Sequence, residues 1–177
     1  INILPKLKLH EEIEMEEFHL HAFGIEYIPE VIRAENNSIW LGRVKKVTLF
    51  QYAINILPKL KLHRENEMEK FYFYADRIEY VSEIIHAGNN NIKLGKVKKL
   101  ELNLFAINTL SKLVLHKDNE MEKFLLSADR EEYVSEVMNA ENNTIWLGKV
   151  KKLELNLFAI NTLSKLVLHK DNEMEKF

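Results

Sequence analysis

The chain has 177 residues, 25 Lys and Arg against 27 Asp and Glu, and a formal net charge of −2. Apolar residues make up 46% and charged residues 29%, a balance that excludes a disordered tail and predicts a folded domain with a real core. No apolar run approaches the ~18 residues that a membrane span needs, so membrane insertion is not expected. With no cysteine, disulfides and thiolate metal sites are excluded.

Read from its first residue, the chain repeats itself. "INILPKLKLH" at Ile1 returns at Ile54, and as "INTLSKLVLH" at Ile107 and Ile160, a shift of 53 without gaps. "AENNSIWLGRVKKV" at Ala34 matches "AGNNNIKLGKVKKL" at Ala87 and "AENNTIWLGKVKKL" at Ala140. The periods are 1–53, 54–106 and 107–159, with a partial fourth over 160–177. The 29 residues Lys96–Phe124 recur unchanged as Lys149–Phe177. The opening Ile1-Asn2-Ile3 and the absence of a polar capping module read as a piece of a longer array, or as copies that stack end to end.

Each period holds two phrases of the form L-x-x-L-x-L. In chain order they start at Met15, Val44, Met68, Val97, Met121 and Val150, six at full length. The period-2 alternation in each predicts a strand. After the phrases at Met15 and Met68, apolar residues follow five, eight and eleven places later, as at Ile25, Ile28 and Val31, or Ile78, Val81 and Ile84. That spacing predicts a helix, opened near Asp76 in the middle copy and closed by Asn and Gly. The intervening units carry Pro5 or Pro58 and then "KLKLH" or "KLVLH", which predicts a turn or short extended piece. Gly42, Gly95 and Gly148, just before the strand phrase, fit a turn that needs a positive φ.

Two alternating units of 24 and 29 residues with this phrase resemble the leucine-rich repeat family, and the resemblance covers the whole chain. The wording of the copies also resembles repeat expansions in AT-rich intracellular parasites such as microsporidia. The resemblance implies an α/β solenoid, a horseshoe or open coil, with a parallel sheet on the concave side and helices or turns on the convex side. One departure is visible. Where the family carries an Asn three residues after the phrase, this chain has Tyr52, Phe105 or Phe158, and Phe23, Asp76 or Asp129.

In such a fold the x positions of each phrase face the concave side. One column reads Glu16, Lys45, Glu69, Lys98, Glu122, Lys151, Glu175, an alternating ion ladder. The next reads Glu17, Lys46, Lys70, Lys99, Lys123, Lys152, Lys176, which is either a basic groove for an acidic partner or a solvated face that keeps the sheet soluble. Two further columns begin with His19, Thr48, Tyr72 and with His21, Phe50, Tyr74, and turn small and polar in the later copies. Exposed rings of this kind anchor interfaces or support the sheet by cross-strand packing.

His10, His63, His116 and His169 recur every 53 residues. Two layers apart, ~9–10 Å, they cannot share a metal ion, so turn or surface histidines are expected and no metal site is. The chain has no Gly-rich phosphate loop, no nucleophile elbow and no titratable group that stands apart from the repeat. No enzyme and no cofactor are therefore expected. Trp40 and Trp146 read as half-exposed covers over the core edge. Asn36 and Asn142 open glycosylation sequons, which would be used only in an extracellular setting; composition names no compartment. The expected function is a non-enzymatic scaffold that binds a protein through the sheet. The alternative is a structural, filament- or coat-forming protein that assembles head to tail; nucleic-acid binding through the lysines is the weakest reading.

Overall fold

Alternation of apolar and polar residues makes each phrase a strand with one face to bury. In the computed structural model, which describes residues 4–6, 13–86 and 92–177, the six phrases lie side by side in chain order. The strands are Glu14–Ala22, Ile39–Gln51, Lys70–Ala75, Lys99–Leu104, Lys123–Ala128 and Leu153–Leu157, and every pairing is parallel. Leu60–Leu62 adds to the edge of Ile39–Gln51 as a seventh strand. Phe18, Val47, Leu49, Phe71, Phe73, Leu100, Leu102, Phe124 and Leu126 point inward and are buried. Each contributes about 1.5–3 kcal/mol by leaving water. The fold is α/β with a large parallel sheet and few helices.

A second set of pairings runs upstream of the main sheet. Ile92–Val97 pairs with Leu113–Leu115 and with Glu67–Met68; Ile145–Val150 pairs with Leu166–Leu168 and with Glu120–Met121. The short extended pieces expected after the prolines and their counterparts are these strands. The register slips at Gly42, Gly95 and Gly148, whose φ values are +72, +78 and +79. The positive φ agrees with the sequence, but its setting is a bulge inside an extended run and not a turn. A side chain there would run into the carbonyl of Ile13, Asn66 or Asn119 on the neighbouring layer. Each glycine carbonyl accepts a hydrogen bond from the backbone N–H of His63, His116 or His169 at 2.9 Å.

The crossovers are slimmer than the spacing predicts. Residues 78–85 form a 3-10 turn, Ile78–Val81, and a single α turn, Ser82–Ile85, and no side chain caps either. In the next copy both pieces, Glu131–Val134 and Val137–Asn139, are 3-10. The alternate crossovers are 3-10 helices at Tyr52–Lys59, Phe105–Lys112 and Phe158–Lys165. Thickness explains this: strands repeat every ~4.8 Å, whereas an α-helix with side chains is ~10 Å across. Helices stacked in every layer cannot all be α without splaying the sheet.

Three residues after two of the phrases stand Tyr52 and Phe105, rings that pack on the next layer. Tyr52 meets Tyr80, and Phe105 meets Tyr133, edge to face at 4.6 Å between centroids. A separate asparagine ladder, Asn66, Asn119 and Asn172, stitches the layers on the other side. Asn119 Oδ1 accepts from Val97 N at 2.7 Å, while its Nδ2 donates to the carbonyls of Val97 and Leu147 at 3.4 and 3.3 Å. Asn66 bonds Val44 N and O in the same way.

Candidate interaction face of the sheet

Because the strands pair parallel and without slip, the x positions line up as columns. Glu17 sits beside Lys46, His19 beside Thr48 and His21 beside Phe50. Lys46 sits beside Lys70, Thr48 beside Tyr72 and Phe50 beside Tyr74. Tyr72 and Tyr74 face Glu101 and Asn103, which face Leu125 and Ser127.

The ring-bearing positions converge. His19 and His21 lie 5.4 and 5.3 Å from Phe50, which lies 5.6 Å from Tyr72 and 6.2 Å from Tyr74. Phe23 extends the cluster, 3.9 Å from His21, and is 69% exposed. The Lys70 ammonium stands 5.0 Å over the Tyr72 ring. Burial pushes both tyrosine phenols up, helped by Glu101 at Tyr72 and by Asp76 at Tyr74. Both therefore stay protonated at neutral pH and can donate a hydrogen bond from a largely apolar patch. The later layers carry Glu101, Leu125, Glu154, Asn103, Ser127 and Asn156 at the same positions, so the patch belongs to the first three strands.

Four lysines of the column have a carboxylate within reach. Lys46 reaches Glu69 at 4.0 Å, Lys70 reaches Glu101 at 3.3 Å, Lys99 reaches Glu122 at 3.3 Å and Lys123 reaches Glu154 at 3.2 Å. Lys152 lies beside Lys176 across an isolated bridge. In the adjoining ladder Lys45 binds Glu16 at 2.6 Å and Glu14 at 3.0 Å. Hydrogen bonding to these carboxylates holds the Lys45 ammonium above its ordinary range, and the Glu16 carboxyl is held below its own.

A second ladder, two residues upstream, was not read from the sequence. There Glu67 binds Lys96 at 2.9 Å and Glu120 binds Lys149 at 3.3 Å, with Glu14 beside Arg43. Its signal was available in the recurring N-E-M phrase, which also carries the asparagine ladder. Arg43, Lys45, Glu14 and Glu67 line a groove of about 630 Å³, and its charges are mixed in sign.

The remaining residues of interest fall elsewhere. His63, His116 and His169 each accept, through Nδ1, the backbone N–H two residues on, at 3.2, 3.2 and 3.1 Å. They close their own turns; His10 lies outside the described residues. Trp40 and Trp146 are half-buried and meet His63 and His169 edge to face. Asn36 and Asn142 are exposed, and their side-chain carbonyls accept from Lys59 and Lys165 at 2.9 and 2.8 Å. Among the described residues no cluster of three or more His, Asp or Glu could hold a metal ion. No protein-family model matches the chain, and neither a curated protein nor a solved structure does.

Proposed function

We propose that the chain is a leucine-rich-repeat type of coil whose concave sheet face binds a protein partner, and that it carries no catalytic activity. The observation that carries this reading is the ring cluster His19, His21, Phe50, Tyr72 and Tyr74, brought together from three strands on a face that otherwise bears paired ions. Tyr72 and Tyr74, half-buried rings with a polar tip, offer large contact area and little entropy to lose, the character of interface anchors. Since Lys46, Lys70, Lys99 and Lys123 each have a carboxylate neighbour, an acidic partner gains specificity from this column more than affinity. The layered order of the strands, the six matching phrases and the unit lengths support the repeat-family reading.

The test is a peptide-display selection against the chain. Ligands enriched on the parent should lose about tenfold or more in affinity, ~1.4 kcal/mol, on Tyr72→Ala with Tyr74→Ala, while melting stays within a few degrees. Ligands that bind the double variant as well as the parent would remove this face from consideration.

A further inference from the structure

Position 93 departs from its counterparts in the other periods. Trp40 and Trp146 stand at this place there, and their rings lie 6.2 and 5.9 Å from His63 and His169 on the following layer. Lys93 supplies no ring, so among the described residues none stands over Val114 and His116, the counterparts of Val167 and His169. The strand pairings open the same region. Among the described residues Leu60–Leu62 pairs with Ile39–Gln51 alone, and Ile92–Val97 pairs with Glu67–Met68 and Leu113–Leu115. No pairing joins Leu60–Leu62 to Ile92–Val97, and a groove of about 510 Å³ lies there.

The rim of this groove is cationic. Lys61, Arg64, Lys93 and Lys117 line it and are exposed, and among the described residues no carboxylate lines it. Arg64 has the Glu65 carboxylate 3.8 Å from its Nε, and Lys61 stands 5.7 Å over the Trp40 ring. Among the described residues Lys61, Lys93 and Lys117 have no carboxylate within ion-pair reach, unlike Lys46, Lys70, Lys99 and Lys123 on the sheet. His63 and His116 also line the groove. Each Nδ1 accepts a backbone N–H at 3.2 Å, which leaves Nε2 as the donor. Leu62 and Val114, both half-buried, give the groove an apolar part. We propose that this groove docks an extended peptide segment of a partner protein, one that alternates acidic and apolar side chains.

Charge complementarity selects this occupant. A concave surface lined by one sign of charge attracts the other, and the three lysines have no ion pair within the chain to give up. In the chain as a whole acids slightly outnumber bases, so this groove is a local departure from the overall charge. The apolar part asks for more than charge: a side chain that leaves water against Leu62 and Val114 adds about 25 cal/mol for each Å² it buries. An extended peptide presents alternate side chains to opposite sides, so its acids can turn to the rim while its apolar residues turn to the floor. A nucleic acid fits less well. No aromatic ring is among the described lining residues, so bases would have nothing to stack on. The neighbouring groove beside Arg43 and Glu67 has charges of both signs, which restricts the attraction to this one. None of the five rings of the sheet cluster lines the groove, so the two binding readings stand or fall separately.

Fluorescence anisotropy on the 177-residue chain tests this with a labelled short peptide of alternating glutamate and leucine. At low salt the peptide should bind with a Kd below about 1 mM, and the affinity should fall as salt rises to moderate levels. Lys93→Trp restores the residue that two other periods carry, so it should keep parent-like circular dichroism while its ring covers Val114 and His116 and weakens binding about tenfold or more. Lys61→Glu with Lys117→Glu, both at exposed positions, should weaken it at least as much. Peptides that alternate lysine with leucine or glutamate with serine, and an oligothymidylate, should each bind the parent about tenfold more weakly than the glutamate–leucine probe. A probe that does not saturate by about 1 mM, affinity that salt leaves unchanged, undiminished binding to either folded groove variant, or a comparison ligand that binds as tightly as the probe would overturn the proposal.

Discussion

At single positions the backbone, not the side-chain inventory, sets the constraints. Gly148 has a φ of +79 and its missing Cβ would meet the carbonyl of Asn119. Gly148→Ala should cost about 1–3 kcal/mol in urea unfolding, through strain and displaced backbone. Gly24→Ala is the control: a Cβ there meets only the movable Glu26 carboxylate, and stability should change little. Asn119 is buried and satisfies one N–H and two carbonyls. Asn119→Ala strands them, at about 1–3 kcal/mol for an unpaired buried group. Asn172→Ala should cost less, because Asn172 is only partly buried and water can reach Val150. Equal losses at the two asparagines would contradict the ladder as described. The recurrence of Gly and Asn was legible in the sequence; the carbonyl that each must avoid or bind lies on another layer and was not.

Among elements, the strands are tied by apolar packing and trimmed by ions. The Lys45–Glu16 pair gives a signed expectation. Glu16 titrates below its unfolded value, so its contribution is present above the ordinary carboxylate range and lost as pH falls through the depressed value. Lys45, raised, contributes below the ordinary ammonium range and loses that contribution as pH rises past it. Between about pH 5 and 2 the parent should therefore lose more stability than Lys45→Ala. Molar salt should shrink the difference, because the pair is exposed to solvent. Melting temperatures across that range check it; parallel curves would mean that the ladder has no net effect. The crossovers teach a different lesson. Ile78, Val81 and Ile84 were legible as a helical face, and Val81 and Ile84 are buried. That the segment is a 3-10 turn and one α turn follows from the thickness of the neighbouring layers, which no local pattern encodes.

For the whole molecule, contacts run between adjacent strands in chain order, so stability should divide among layers. Removing residues 97–149 joins Lys96 to Val150, a Lys-Val step already present at Lys149, and leaves 124 of 177 residues. We expect the shortened chain to keep its circular dichroism per residue and to melt several degrees lower, since one interior period of nearest-neighbour contacts is lost. A chain unfolded at room temperature would show that the layers depend on distant ones.

Periodicity alone determined the six phrases that pair side by side, their side-chain columns and the inward set, because a period-2 phrase repeated at fixed intervals buries its leucines on one face of a parallel sheet. The tertiary structure decided which columns interact: that Lys46, Lys70, Lys99 and Lys123 are neutralised, that five rings from three strands form one cluster, and that identical residues are buried at 107 and exposed at 160. The reason is distance. A side chain's charge, stacking and burial depend on what stands ~4.8 Å away on the next strand, and that neighbour lies 24 or 29 residues along the chain.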